Sequence, residues 1–204
     1  MRREITAAGG DPSRVRVLAV TKGFGPEAVA AARAAGLADL GENYANELLA
    51  KAPGPEGTRW HFLGAIQRNK IRALAPTVTL WQSVSRDVEG EKIAQAAPGA
   101  AVLVQVDFTE GAQRNGRPPE EVAPLVERLR ALGLDVRGLM TVAPQGGTAI
   151  AAEAFGQLVD LANGLGLEER SMGMSDDLAV AVAAGSTMVR IGRGLFGPRP
   201  PQGH

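Results

Sequence analysis

The sequence predicts an α/β fold, a single (β/α)8 barrel of the TIM type. Short apolar runs alternate with segments of helical periodicity along the whole chain, and eight such units fit into its 204 residues. No linker or internal repeat divides the chain. Strands that alternate with helices pair in parallel, and eight parallel strands can close into a barrel. A doubly wound open sheet is the alternative that the same alternation allows.

Eight apolar runs are the predicted strands. The second, fourth and seventh are weak strand signals in isolation and are predicted because the alternation requires them. In chain order the runs are Val15–Val20, Asp39–Glu42, Trp60–Ala65, Leu80–Val84, Ala101–Phe108, Val136–Val142, Arg170–Met174 and Thr187–Leu195.

Proline and glycine mark the ends of the predicted helices. Pro26 opens the helix after the first strand, because proline suits the first helical turn, and Gly36 ends it. A second helix opens at Pro118 and ends at Gly133, with apolar residues at helical spacing between them.

The chain is predicted to be one domain, residues 1–197. Residues 1–14 predict a partial first helix, and residues 144–150 predict a loop. The proline-rich tail, residues 198–204, cannot continue a helix or a strand and is predicted to be disordered.

Composition excludes several classes of function. The formal net charge is zero, which argues against a nucleic-acid binder, and no cysteine is present for disulfides, thiolate metal sites or catalysis. No apolar run approaches the ~18 residues of a membrane span, and no signal peptide is visible. His61 is the one internal histidine, so no histidine metal site can form and a structural role is expected for it. We expect a cytoplasmic protein, monomeric because no extra interface element is visible.

Lys22 is the first candidate functional residue. The active sites of (β/α) barrels lie at the carboxyl ends of the strands, and Lys22 directly follows an apolar run. Arginines number 18 and lysines only four, and only lysine can lose its proton and react with an aldehyde. Partial burial would lower the pKa of such an amine and make it nucleophilic. A solvated lysine at a strand end is the alternative.

The last two units predict a phosphate site. Phosphate sites in these barrels often form after strands seven and eight. Ser175 begins a Ser-Asp-Asp sequence typical of a helix N-terminus, while Gly192 and Gly194 let backbone N–H groups approach a ligand. The alternatives are that Ser175 is only a helix cap and that the glycines only form a turn.

Arg190 lies inside an otherwise apolar run, Met188–Ile191. An arginine that points into a barrel needs a partner. The alternatives are an outward orientation or a structural ion pair.

Seven segments resemble one family, the pyridoxal 5′-phosphate (PLP) homeostasis proteins, also called YggS-like or PROSC-like. They occur in the family's order across nearly the whole chain, and the last two are specific. The segments are Leu18–Lys22, Gly41–Tyr44, Trp60–Gly64, Gln67–Lys70, Arg137–Met140, Ser171–Asp177 and Gly185–Gly192.

The resemblance implies a fold and a cofactor. The family resembles the barrel domain of alanine racemase and ornithine decarboxylase, the type III fold of PLP enzymes, without the additional β-domain. It implies an internal aldimine between PLP and Lys22, with Asn43 near the ring and Arg190 near the pyridine nitrogen. Phosphate contacts are implied from Ser171, Ser175, and the backbone at Gly192 and Arg193.

The chain departs from the family's pattern at a few positions. Arg193 stands where threonine is common, which puts a side-chain phosphate contact there in doubt. Asp107 stands where asparagine is common, which would alter hydrogen bonding near the ring. The loop Gly111–Gly116 also diverges.

The resemblance favours a carrier that buffers PLP and hands it to apo-enzymes. The alternative is a racemase-like PLP enzyme. Two-sided proton exchange needs a base on each face of the substrate, and one barrel of this length leaves no room for the domain that supplies the second base in alanine racemase. A charged arginine at the pyridine nitrogen would also weaken the ring as an electron sink. We therefore expect no catalytic residue and no metal.

Overall fold

The structure is a computed structural model that describes residues 1–109 and 115–199. Eight strands form one sheet. They are β1 (Arg16–Val20), β2 (Asp39–Glu42), β3 (Arg59–Phe62), β4 (Val78–Val84), β5 (Ala101–Val106), β6 (Asp135–Thr141), β7 (Glu169–Ser171) and β8 (Met188–Ile191).

The sheet is a closed barrel in which every neighbouring pair is parallel, so the predicted fold class is confirmed and the open sheet is excluded. The ring closes where β1 pairs with β8, with Leu18 opposite Arg190 and Ala19 opposite Ile191. The carboxyl ends of the first and last strands are therefore neighbours.

Helices occupy the segments between the strands. They are α1 (Arg2–Ala7), α2 (Pro26–Ala34), α3 (Ala45–Lys51), α4 (Ile71–Leu74), α5 (Asp87–Ala96), α6 (Val122–Ala131, preceded by a 3-10 turn over Pro119–Glu121), α7 (Thr148–Gly164), α8 (Leu178–Ala184) and α9 (Arg193–Phe196).

The core has two layers. Inside the barrel lies a cluster of inward side chains, Leu18, Leu80, Leu103, Met140 and Met188. A larger layer between strands and helices includes the indoles of Trp60 and Trp81 and the ring of Phe155. Because residues along a strand alternate in direction, Leu18, Val20 and the following Lys22 share the inward face.

The predicted helix ends at proline and glycine are confirmed. Pro26 occupies the first turn of α2, and Gly36 follows its end with a positive φ of 80°. Gly133 follows α6 with φ 76°, and Gly185 caps α8 in the left-handed region. Glycine suits these positions because it lacks a Cβ.

Several predicted boundaries are wrong. The eighth strand ends at Ile191 instead of Leu195, because the backbone turns at Gly192 into the one-turn helix α9. The third and seventh strands also end early, at Phe62 and Ser171. The predicted loop of residues 144–150 is shorter, since α7 already begins at Thr148.

The single-domain boundary at residue 197 stays a prediction. The predicted disordered tail lies partly outside the described residues, which stop at Arg199, and the divergent loop 111–116 is described only from residue 115 onward. Within the described part of the chain, no helix is long and apolar enough to cross a membrane.

Candidate functional site

A cavity of about 190 Å3 opens at the carboxyl ends of the strands. It brings together six of the seven predicted site residues, which lie on β8, at the start of α9 and in the loops after β1, β2, β7 and β8. They are Lys22, Asn43, Ser175, Arg190, Gly192 and Arg193. The seventh, Ser171, is fully buried below this cavity and does not line it.

The cavity that contains Lys22, called the lysine cavity below, shares five lining residues with a second, wider cavity. This second cavity of about 960 Å3 shares Asn43, Leu63, Val142, Met174 and Asp176 with it. The combined space suits a small-molecule ligand.

A cavity of about 1070 Å3, larger than either of these two, lies at the opposite end of the barrel beside Gly10 and Thr187. It contains no lysine. Because chemistry in this fold occurs at the carboxyl end of the strands, we assign the site to the lysine cavity.

Lys22 combines partial burial with positive neighbours. Desolvation lowers the pKa of its amine, and the charges of Arg199 and Arg190 lower it further, against the opposing effect of Glu42 and Glu47. Within residues 1–109 and 115–199, the Lys22 amine has no hydrogen-bond or ion-pair partner. A lysine with a lowered pKa and a free amine is suited to react with a carbonyl group.

Arg190 points into the barrel and is 5% exposed, so the outward orientation is excluded. Its guanidinium donates to the carbonyl oxygens of Ser171 and Thr141, both over 2.7 Å, and to the Ser171 hydroxyl over 3.0 Å. No carboxylate pairs with it among the described residues. Burial lowers its pKa to about 10, partly offset by Asp177, so the side chain stays charged at neutral pH.

A polar chain runs from Arg190 through the barrel interior. The hydroxyl of Ser171 donates to Oε1 of Gln82 over 2.6 Å, and Nε2 of Gln82 donates to Nδ1 of His61 over 2.7 Å. With Nδ1 accepting, Nε2 of His61 carries the proton and donates to Asp39 over 3.0 Å. Each residue in this chain therefore donates its hydrogen bond to the next residue, in the direction from Arg190 to Asp39. Both ring nitrogens of the buried His61 have partners, so the expected structural role of His61 is confirmed.

Asp39 is the last acceptor in this series of hydrogen bonds and lies at the amino-terminal end of the barrel strands. Burial alone would raise the pKa of its carboxyl group, but hydrogen bonds from His61 and from Arg59 outweigh burial and hold the pKa well below its usual range. Arg59 binds both carboxylate oxygens, over 2.8 and 2.6 Å, so the last acceptor is a carboxylate.

Ser175 lies beside Gly194 at the start of α9. The N–H group of Gly194 donates to the Ser175 hydroxyl over 3.3 Å, and a Cβ added at Gly194 would lie 3.2 Å from that oxygen. The interpretation of Ser175 as an N-cap is wrong, because α8 begins only at Leu178 with Asp177 as its N-cap residue. The hydroxyl and the N–H group instead lie together at the cavity.

The neighbours of Asn43 and Arg193 are also defined. A Cβ at Gly64 would collide with the backbone carbonyl of Asn43, so glycine allows the chain after β3 to lie against Asn43. The side chain of Arg193 pairs with Asp176 over 2.7 Å. Asp107 accepts hydrogen bonds from the backbone and the hydroxyl of Thr109.

The cavity is strongly positive. Lys22, Arg190, Arg193 and Arg199 line it together with one carboxylate, that of Asp176. Such a set of cations with N–H and hydroxyl donors fits an anionic ligand that carries a phosphate and a carbonyl group. The part of the chain that the structure describes contains no group of three side chains that could hold a metal ion.

Sequence reasoning missed two contributions to this site. Arg199 belongs to the predicted tail, yet it lines the cavity and its side chain lies against Gly23. The charged cluster of Glu42, Glu47 and Lys51 lies beside Lys22. The scarcity of lysine in the sequence was a signal for Lys51, whereas the sequence held no such signal for Arg199.

Comparison with known proteins finds one matching family model and several similar proteins that share one name. A family model described as the alanine racemase N-terminal domain matches residues 3–200. A pyridoxal phosphate homeostasis protein of Deinococcus radiodurans is 43% identical over 194 residues, covering 93% of this chain and 92% of the relative. The protein of the same name from Pseudomonas aeruginosa is 40% identical over 209 residues, covering 98% of this chain and 91% of the relative.

Solved structures agree with this placement. PipY of Synechococcus elongatus with PLP bound is 32% identical, with a TM-score of 0.84 over 96% of this chain and 99% of PipY. An alanine racemase of Clostridium difficile is 18% identical and matches in fold, with a TM-score of 0.75 over 98% of this chain and 56% of the racemase.

Proposed function

Because the chain belongs to the alanine racemase N-terminal domain family and, within it, to the pyridoxal phosphate homeostasis proteins, we propose that it binds PLP and serves in PLP homeostasis. The single observation that carries the proposal is the half-buried amine of Lys22, which has no partner among the described residues and lies in a positive cavity with phosphate-type donors. PLP supplies an aldehyde, which reacts with a neutral amine, and a phosphate, which requires hydrogen-bond donors.

Each residue has a role in this proposal. Lys22 holds the aldehyde end of PLP through its amine, which loses its proton more readily than that of an ordinary lysine. Ser175 and the backbone N–H groups at Gly192, Arg193 and Gly194 bind the phosphate. Ser171 acts through Arg190, because its hydroxyl accepts from that guanidinium below the cavity.

Arg190 and Asn43 orient the ring in this proposal. Arg190 faces the pyridine nitrogen and keeps it without a proton, because a buried guanidinium that remains charged repels a second positive charge. Asn43, which lines the same cavity, contacts the ring or its oxygen.

We propose a carrier and not a racemase. A racemase needs a proton acceptor on each face of its substrate. Among the described residues that line the lysine cavity, the one carboxylate is Asp176, and it is paired with Arg193. With L-alanine or D-alanine deuterated at the α-carbon, we expect no release of deuterium to the solvent. Release at a rate typical of enzyme turnover would show that the protein is not only a carrier.

The test is the visible absorption spectrum of the purified protein with PLP. We expect a band that borohydride abolishes, followed by a covalent mass increase on the peptide that contains Lys22. Lys22→Ala should lack both, whereas Lys92→Ala, which changes an exposed lysine on α5, should keep them. Absence of the band from the wild-type protein would overturn the proposal.

Delivery is the finer part of the proposal. We infer that the protein, a cytoplasmic monomer, passes PLP to apo-enzymes. The loaded protein should restore activity to an apo-enzyme faster than free PLP at the same total concentration. Light scattering should give the mass of one chain with and without PLP.

A further inference from the structure

A charged cluster lies directly beneath the segment that carries Lys22. The amine of Lys51 donates to Oε1 of Glu42 over 2.6 Å, to Oε2 of Glu47 over 3.0 Å and to the backbone carbonyl of Thr21 over 2.9 Å. Lys51 is 8% exposed and Glu42 is fully buried. All three donor positions of this amine are therefore used, and Lys51 is not available for chemistry.

The cluster is bonded to the chain on both sides of Lys22. Before Lys22, the hydroxyl of Thr21 donates to Oε1 of Glu42 over 2.7 Å, and the carbonyl of Thr21 accepts from Lys51. After Lys22, the N–H group of Gly23 donates to Oε2 of Glu47 over 2.8 Å. Thr21 is thus held by Glu42 and Lys51, and Gly23 is held by Glu47, the third member of the cluster.

The origin of the cluster explains why it can hold this turn. Glu42 is the last residue of β2, the strand that pairs with β1. Glu47 and Lys51 are four residues apart on α3, so they lie on one face of that helix. Burying the charges of Glu42 and Lys51 is costly, and apolar residues of similar volume are often at least as stabilising as a buried ion pair. A role in fixing the site accounts for their presence better than stability does.

We propose that Glu47 and Lys51 are positioning residues for Lys22, which hold its backbone from both sides and place its amine at the cavity. The inference rests on the proposed function of Lys22 as the residue that holds PLP. Neither residue lines the lysine cavity, so both act through the turn Thr21–Gly23.

The pKa of the Lys22 amine is a quantity that distinguishes loss of the Glu47 charge from general loosening of the structure. The groups that act on its amine are Arg199 from the C-terminal segment, Arg190 from β8, Glu42 from β2 and Glu47 from α3. General loosening would expose Lys22 and raise the pKa of its amine, because desolvation is the main cause that lowers it. Loss of the Glu47 charge with the turn intact would lower that pKa further, because Glu47 raises it.

The experiment measures how fast acetic anhydride labels each of the four lysines in PLP-free protein as a function of pH, resolved by peptide mass spectrometry. In Glu47→Gln, whose amide oxygen can still accept from Gly23, the labelling midpoint of Lys22 should move to lower pH. Glu91→Gln, an exposed glutamate on α5, is the matched control and should leave it unchanged. Lys70 and Lys92 are exposed or half-exposed internal references.

A second variant tests positioning directly. Lys51→Met should slow PLP capture by roughly ten- to a hundredfold, as expected when a reacting group is displaced. Lys92→Met should capture PLP at the wild-type rate. Circular dichroism and the unfolding midpoint establish that each variant is folded, and Glu47→Gln alone suffices if Lys51→Met does not fold.

The outcomes separate this inference from the proposed function. If Glu47→Gln leaves the Lys22 midpoint unchanged, or if folded Lys51→Met captures PLP at the wild-type rate, the positioning role is wrong. If the wild-type protein captures no PLP, the proposed function is wrong, and the labelling of Lys22 in PLP-free protein still reports the effect of Glu47.

Discussion

Arg190 donates a hydrogen bond to the hydroxyl of Ser171 over 3.0 Å, and that hydroxyl donates onward to Gln82 over 2.6 Å. Ser171 is fully buried, so water cannot replace either contact. This one hydroxyl therefore joins the charged cavity to the polar interior of the barrel.

Ser171→Ala should destabilise the protein by about 1–3 kcal/mol, because Oε1 of Gln82 would be left buried without a donor. Urea unfolding of the PLP-free protein measures the change. Ser13→Ala, at an exposed serine, is the control and should change stability by less than about 0.5 kcal/mol. A Ser171→Ala variant as stable as the wild type would contradict the polar chain.

Asp39 should make stability depend on acid pH. The pKa of its carboxyl group is lowered in the folded protein, so its contribution is present above the ordinary value of about 3.9 and is lost as pH falls below it. Asp39→Asn should lower stability at neutral pH and flatten its fall in acid.

Unfolding free energies at a series of pH values between neutral and acid measure the effect of Asp39. Asp160→Asn removes an exposed carboxylate on α7 and should leave the curve unchanged. An Asp39→Asn curve parallel to that of the wild type would show that Asp39 does not contribute in this way.

Arg199→Gln should raise the pKa of Lys22, because Arg199 is the charge that lowers it most. A higher pKa leaves less neutral amine at neutral pH, so PLP capture should slow several-fold and its pH profile should move to higher pH. The control is Arg72→Gln, at an exposed arginine on α4. A profile that stays in place would remove Arg199 from the site.

Gly194→Ala should weaken PLP binding by about tenfold, or ~1.4 kcal/mol. The new Cβ would lie 3.0 Å from Cγ2 of Ile191 and 3.2 Å from the Ser175 hydroxyl, and would disturb the proposed phosphate donors. Gly194 lies inside α9 without a positive φ, so alanine should not strain the backbone.

Gly156→Ala is the matched control for this change. Gly156 lies within α7, and a Cβ there has no atom within 4 Å. Alanine should stabilise the helix by roughly 0.5–1 kcal/mol and leave PLP affinity unchanged. Equal affinities for both glycine variants in a fluorescence titration would argue against a phosphate site at Gly194.

The alternation of apolar runs predicted parallel strands, and eight such units in 204 residues favoured a barrel over the open sheet that the same alternation allows. The run before Lys22 predicted β1 to within one residue. The eighth run failed at its end, since Gly192-Arg193-Gly194-Leu195 is compatible with either a strand or a turn. The turn at Gly192, which ends β8 and begins α9, depends on packing at the carboxyl end of the barrel and not on the local sequence.

The interior polar chain could not be predicted from the sequence. Gln82 and Ser171 are 89 residues apart, and nothing local to either marks the other as its partner. Arg190 differs, because a charge within an apolar run already made it a candidate, although only the structure excludes the outward orientation. Lys22 was likewise marked by its place after β1 and by its motif.

The pairing of β1 with β8 has a consequence for the newly made chain. Lys22 is synthesised early, while Arg190 and Gly192, which line the same cavity, are synthesised about 170 residues later. A chain still emerging from the ribosome therefore has the Lys22 amine without the proposed phosphate donors. If these donors bind the phosphate as proposed, stable PLP retention requires that the last strand has closed the ring.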